Sequence, residues 1–308
     1  PILRDPDGVL AGPDQRPFWT GNYSNDADFR NVFYLTNADK KADYFSISAQ
    51  LSKQFDNGFY AMIAYTRSRA RDLDASGGSQ AGSLWTATVQ EDRNSPELSF
   101  AGFDQPNRFI SNLSYQKENT TIGLFYEGGE NGRFSYTYSG NFGDNSNRLI
   151  YIPNDASELN FQEYTSGGQT ITVQSQIDAL NAYIAQDDYL SENRGTVAER
   201  NGAKNPWLNR FDLRITQDIE LTKDKKNKIQ LSMDFLNFGN MLNSDWGVPQ
   251  FAFQQNLLNY RGNNAGGEPI YRLNTISGTT QLPTETYRSS TSIGSTWRLQ
   301  LGVRYLFN

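Results

Sequence analysis

Apolar and polar positions alternate through seven stretches of this chain. The cleanest is the last, STWRLQLGVRYLFN at residues 295–308. Trp297, Leu299, Leu301, Val303, Tyr305 and Phe307 share one parity, and Arg298, Gln300, Gly302 and Arg304 take the other. Successive strand side chains point to opposite faces, so this run predicts a strand with one wholly apolar face. The first pair of runs, DYFSISAQLSKQF and FYAMIAYTRSRA, sets Phe45, Ile47, Ala49 and Leu51 against Tyr44, Ser46, Ser48 and Gln50. Between them Asp56-Asn57-Gly58 supplies the residues of a tight hairpin turn. The second pair, NRFISNLSYQ and TIGLFYEG around KENT, alternates less strictly. Phe109, Leu113 and Tyr115 are answered by Ile122, Leu124 and Tyr126. In the third pair Phe211, Leu213, Ile215 and Ile219 alternate with Asp212, Arg214, Thr216 and Asp218. After LTKDKKNK, Ile229, Leu231, Met233 and Phe235 alternate with Gln230, Ser232 and Asp234.

These runs predict seven strands joined by three short turns and three long loops, at about 72–106, 128–207 and 237–295. Residues 1 to about 42 read as a further loop. RFSYTYSG extends a strand into the second loop. SQIDALNAYIAQDDYL in the same loop predicts a helix, with Ser175 and Asp178 placed as a capping box and Ile177, Leu180 and Ile184 on one side. All short connections fall at one end of the strands and all long ones at the other. That asymmetry is the pattern of an outer-membrane barrel, with short periplasmic turns and long extracellular loops.

Soluble sandwiches also alternate, with the apolar parity turned to a core. Three features favour lipid instead. The best runs approach the ~9–11 residues of a tilted membrane strand. Aromatics stand near strand ends, as at Phe45 and Phe55, Phe59 and Tyr65, and Trp297 and Phe307, where interfacial girdles would place them. The opposite parity carries charge in mid-strand, at Asp212, Arg214, Asp234, Arg298 and Arg304, which a polar lumen tolerates. If Ile219 lies opposite Ile229, Arg214 faces Asp234 across the hairpin. The pair then serves as a register-holding salt bridge, a plug contact or a substrate lining.

Composition narrows the function. Mean hydropathy is −0.67, and no apolar run nears the ~20 residues of a membrane helix. The chain has no cysteine and no histidine, which excludes disulfides, thiolate and imidazole metal ligation, and histidine triads. A net charge of −6 argues against nucleic acid as a partner. Asp187, Asp188, Glu192 and Glu199 could form a carboxylate pair, but they lack a pocket-like apolar context, so no catalytic residue and no enzyme activity is expected. Asp144, Asn145, Asn147, Asn154 and Asp155 offer oxygen ligands suited to Ca²⁺ without an EF-hand spacing. They read as a solvated turn cluster, and no metal or cofactor is expected. GGENGR lacks a following phosphate-loop lysine.

Seven strands do not close as an ordinary even-numbered bacterial barrel. The chain is therefore expected to be the C-terminal part of a single larger transmembrane β-barrel domain. Several stretches carry a family likeness: NVFYLTNADKKADYFSISAQLSKQFDNGFYAMIAYTRSRARDL, FYEGGENGRFSYTYSG, NRLIYIPNDASEL, YLSENRGTVAERNGAKNPWLNRFDLRITQDI, IQLSMDFLNFGNMLNSDWG and LQLGVRYLFN. The chain resembles the C-terminal half of the barrel in TonB-dependent outer-membrane transporters, and within them the Oar-like branch of Bacteroidota and myxobacteria. The resemblance implies an all-β, 22-stranded antiparallel barrel in the outer membrane of a Gram-negative bacterium. It also implies a plug and other N-terminal domains outside this chain, and coupling to the TonB complex through such a region. The last run looks like the signal read by barrel-assembly machinery, carried by Tyr305 and Phe307, although Asn308 follows the aromatic that normally ends it. The implied function is transport of a scarce or bulky ligand driven by TonB and the proton-motive force. Outer-membrane lipid and a surface lipoprotein are the further expected partners. Candidate ligand contacts in the loops are Trp207, Trp246, Tyr260 and Tyr271. The alternative function is an adhesion or structural barrel, or a TonB-independent channel, binding a partner through the long loops.

Overall fold

A computed structural model describes residues 9–13, 16–18, 37, 39–73, 79–91, 96–140, 147–223 and 227–307. Seven long strands dominate it: β1 (Asp43–Gln54), β2 (Phe59–Asp72), β3 (Asn107–Lys117), β4 (Thr120–Glu130), β5 (Trp207–Glu220), β6 (Lys228–Leu236) and β7 (Arg298–Leu306). Each pairs antiparallel with the next in chain order, giving one meander. The chain is all-β in character, with a large antiparallel sheet and few helices. Among the described residues β1 and β7 each pair on one side only.

The alternating runs become these strands, and their turns carry the expected chemistry. Gly58 sits at φ +84°, and a Cβ there would collide with the carbonyl oxygen of Gln116. In the β3–β4 turn Glu118 takes φ 52°. Part of the β5–β6 turn, residues 224–226, lies outside the described residues. The antiparallel order puts the three short turns at one end and the three long connections at the other.

Register places the apolar parities of all seven strands on one face. Leu51 lies opposite Ile63, Ala61 opposite Leu113, and Leu113 opposite Leu124. Leu124 in turn lies opposite Leu213, Leu213 opposite Phe235, and Met233 opposite Leu301. Cross-strand pairs of this kind stabilise a sheet by roughly 0.2–1 kcal/mol each.

The hydrophobic core lies elsewhere. Its buried residues run from Phe134 to Leu273, and none belongs to a long strand. They come from the second and third long connections, which fold together with the first as a cap at the loop end of the sheet. Helix α1 (Ala81–Ala87) lies in the first connection, α2 (Val173–Gln186) and α3 (Asp188–Glu192) in the second, and α4 (Phe238–Leu242) in the third.

The cap corrects two local expectations. The main helix begins at Val173, not Ser175. Its N-cap is Thr172, whose hydroxyl oxygen accepts from the Ser175 backbone N–H, while Asp178 accepts instead from Gln174. The helix also breaks at Asp187, because that carboxylate caps α3 through the Leu190 N–H at 2.8 Å. RFSYTYSG is extended, but only Arg133–Phe134 forms a strand, paired with Ala203–Lys204. Phe134, Tyr136 and Tyr138 alternate inward to the cap core rather than along the sheet's apolar face.

Candidate functional site

The sheet presents two chemically opposed faces. On the apolar face Ile47, Leu51, Leu301 and Val303 are 61%, 70%, 69% and 76% exposed. Fully burying one such side chain is worth about 1.5–3 kcal/mol, yet nothing described packs over these four. Aromatic residues border this face at both ends. Phe55, Phe59, Tyr115, Tyr305 and Phe307 stand near the turns, and Phe45, Tyr65, Phe109, Tyr126 and Phe211 stand toward the cap. Tyr305, of the expected assembly signal, stacks on Phe307 at 5.6 Å, and its hydroxyl donates to Asn227.

The other face carries the mid-strand charges and is laced with ion pairs, although Met62, Ile110 and Phe125 also stand on it. Arg214 Nε lies 3.2 Å from Asp234 Oδ1, in the register expected from Ile219 opposite Ile229. Arg108 pairs with Glu127 at 2.6 Å, and Lys228 with Asp218 at 2.6 Å. Asp212 accepts from Arg210 and from the Asn237 backbone N–H. Arg298 and Arg304 share this face at the outermost strand, and no carboxylate among the described residues reaches them.

The cap is tied down by buried polar contacts between distant segments. Arg133 and Asp104 pair at 2.6 Å with both side chains almost wholly buried. The second Asp104 oxygen accepts from the Ala70 N–H, which joins β2 to the cap. Arg200 pairs with Asp72 at 2.6 Å. Asp187 accepts from the hydroxyls of Tyr136 and Thr286, each at 2.6 Å. Burial raises the Tyr136, Tyr183, Tyr189 and Tyr287 hydroxyls above the ordinary tyrosine range. Hydrogen bonds from Ser157 hold Asp155 below the usual carboxylate range.

The four candidate ligand contacts separate into two places. Tyr271 is buried in the cap core, stacked on Tyr138 at 5.4 Å. Its ring packs the core and presents no surface to a ligand. Tyr260 lies beside it, half-buried, with its hydroxyl donating to Asn263. Trp207 and Trp246 meet instead at the cap end of the apolar face. Trp207 opens β5 on the apolar parity, a position reached by extending Phe211, Leu213 and Ile215 backwards. Trp246 comes from the third connection. They line a groove of about 710 Å³ with Phe109, Ser111, Tyr126 and Phe211. Sequence reasoning missed the groove, because its floor gathers residues from three strands and its roof comes from a separate connection with no periodic signal.

Among the described residues no group of three or more acidic side chains could hold a metal ion. Asn147, Asn154 and Asp155 of the oxygen-rich cluster are described, whereas Asp144 and Asn145 lie outside the described residues. Asp155 caps the turn Ala156–Glu158. Asp187 is committed to caps and hydroxyls, and Glu199 accepts from Ser99 and lies near Arg71. Among the described residues no helix is long and apolar enough to cross a membrane, which says nothing of strands. No family model, no curated protein and no solved structure matches the chain.

Proposed function

We propose that the sheet is a section of the wall of a transmembrane β-barrel, with its apolar face in lipid and its polar face lining the lumen. One observation carries this reading: among the described residues most of the apolar, aromatic-bordered face of the meander is uncovered, while the buried core sits in the connections. In water such a face would be a standing aggregation hazard. In a bilayer it is at rest. Ten residues separate Trp297 from Phe307, so they lie about 34 Å apart along the strand, or about 24 Å across a membrane at a tilt of about 45°. That matches the ~25 Å apolar band of outer-membrane barrels.

On this reading the three short turns are periplasmic, and the cap is an extracellular body that captures ligand at the barrel mouth. The resemblance to TonB-dependent transporters supplies the rest: a 22-stranded barrel, a plug, and TonB-driven passage of a scarce or bulky ligand across the outer membrane. The dense cap core also suits a second reading, an adhesion barrel or uncoupled channel whose rigid cap binds a partner. The test is the intact mass and N-terminal sequence of the polypeptide extracted from outer membranes in detergent. A mass far above 34.8 kDa with a plug upstream is expected. A polypeptide near that mass, with no companion fragment, would remove the transport reading.

A further inference from the structure

Five large apolar side chains of the third connection stand outside the cap core. Helix α4 exposes Met241 and Leu242, the turn Ile293–Ser295 exposes Ile293, and Trp246 and Trp297 are exposed beside them. Leu242 and Ile293 are 64% and 76% exposed, as bare as the side chains of the sheet's apolar face. Large apolar side chains gathered in one place, and not scattered singly, mark an interaction surface.

Packing fixes the side of the sheet on which this patch lies. The Phe238 ring meets the Phe235 ring edge-on, with centroids 6.0 Å apart. A Cβ on Gly239 would lie 3.4 Å from the Phe211 ring and 3.7 Å from Trp246. Phe211 and Phe235 both belong to the apolar parity, so α4 rests at the edge of the face that the preceding reading gives to lipid. Hydrogen bonds fix its height. The Trp297 N–H donates to Asn240 Oδ1 at 3.2 Å, and Asn237 Nδ2 donates to the Ser295 carbonyl at 3.2 Å. Helix α4 and the Ile293 turn therefore share the level of Trp297, which marks the upper limit of the apolar band.

The chemistry of both segments suits lipid. Asp245 is the only charged residue between Asp234 and Arg261, and none lies between Arg288 and Arg298, in a chain that is 20% charged. Charge is what a bilayer tolerates least. The turns also close on themselves, which removes the second obstacle to entering lipid, unpaired backbone. The N–H groups of Asn240, Asn243 and Trp246 donate to the carbonyls of Asn237, Gly239 and Asn243, each at 3.0 Å, and the Ser295 N–H donates to the Ser292 carbonyl at 2.9 Å. Asn240 Nδ2 donates to the Ser244 and Trp246 carbonyls at 2.8 and 3.0 Å. The polar groups turn inward and the apolar side chains outward. Tryptophan is at home at this level, where its ring meets acyl chains and its N–H meets water. A protein partner at the same height would itself have to lie in the bilayer.

We propose that α4 and the Ile293 turn form a membrane anchor, which inserts Met241, Leu242, Ile293 and Trp297 among the acyl chains of the outer leaflet, just beneath its head groups. This part of the third connection is then embedded in the membrane, while the rest of the cap stands outside it, and the anchor fixes how deep the strands sit. The proposal rests on the lipid-facing reading of the sheet, so its test carries a separate control for that reading.

The experiment is depth-dependent quenching in the full chain, reconstituted in phosphatidylcholine vesicles. Leu242→Cys and Ile293→Cys each carry a nitrobenzoxadiazole fluorophore; both sites are exposed, so the label disturbs no packing. Leu301→Cys serves as the control in mid-strand and Asp178→Cys, on the exposed side of α2, as the control in the cap. The vesicles contain lipid with a nitroxide either near the head group or in mid-chain. Labels at 242 and 293 should be quenched at least twofold more strongly by the shallow nitroxide than by the deep one. The label at 301 should favour the deep nitroxide, and the label at 178 should respond to neither and be quenched by aqueous iodide. If 301 is quenched by lipid and either 242 or 293 is not, the anchor fails while the lipid-facing reading stands. Iodide access at the failing position would then show a surface bare to water, and exclusion of both quenchers a surface covered by a protein partner or a second copy. No lipid quenching at 301 would sink the lipid-facing reading itself, and the anchor with it.

Discussion

Replacing Leu301 by arginine separates lipid from water on the apolar face. Leu301 is 69% exposed and lies opposite Met233 in mid-strand, between the aromatic positions Trp297 and Phe307. If that face meets water, arginine at so exposed a site changes stability by about 0.5 kcal/mol or less. If it meets the bilayer midplane, the cost is about 2–4 kcal/mol, or roughly 30- to 700-fold in the folding equilibrium. Depth provides an internal comparison. Tyr305→Arg, on the same face and strand but nearer the turns, should cost only about 0–1 kcal/mol. The assay is denaturant-dependent folding of the protein into phospholipid vesicles, read by tryptophan fluorescence and protease protection. Leu301→Arg within 0.5 kcal/mol of wild type, or as mild as Tyr305→Arg, would refute the reasoning.

Other perturbations probe the turns and the cap. Asp104→Ala leaves Arg133 buried without its carboxylate and should destabilise the cap by about 3–5 kcal/mol, read as loss of amide protection in residues 133–140 while β5–β7 stay protected. Gly58→Ala combines an unfavourable positive φ, worth about 1–2 kcal/mol, with a backbone collision. It should slow folding into vesicles and lower stability by at least that amount, whereas Gly168→Ala, where a Cβ meets nothing, should show only the backbone cost. The cap tyrosines give a pH dependence of known sign. Their folded pKa values are raised by burial, so above about 10 the unfolded cap sheds protons that the folded cap keeps. Stability is therefore unaffected below that pH and is lost as pH rises beyond it. Tyrosinate absorbance should lag and then jump with cap opening; smooth ionisation near pH 10 with the cap intact would contradict this.

The strands were legible because each carries its own period-two signal. The register of β5 with β6 followed from one assumed pair, Ile219 opposite Ile229, and that was enough to bring Arg214 to Asp234. Turn chemistry was legible where glycine marked it, at Gly58. The cap was not legible. Its contacts join Gln186 to Thr286 and Arg200 to Asp72, far apart in sequence and with no periodic signature. The alternation of Phe134, Tyr136 and Tyr138 was visible, but alternation alone does not tell which surface an extended run packs against. The helix was visible, and its break was not, because Asp187 caps α3 while ending α2. Tyr271 looked available for the same reason: burial is a property of the assembled cap.

The central claim is that one parity of these strands faces lipid and the other water. The chain has no cysteine, so single cysteines can be placed at each of positions 299 to 304 and spin-labelled without interference. The measurement is the accessibility of each label to oxygen, which concentrates in lipid, against a water-soluble nickel chelate, in reconstituted bilayers. Positions 299, 301 and 303 should favour oxygen, and 300, 302 and 304 the nickel chelate, a swing of period two along β7. Uniform accessibility, or nickel access at 301 and 303, would contradict the account.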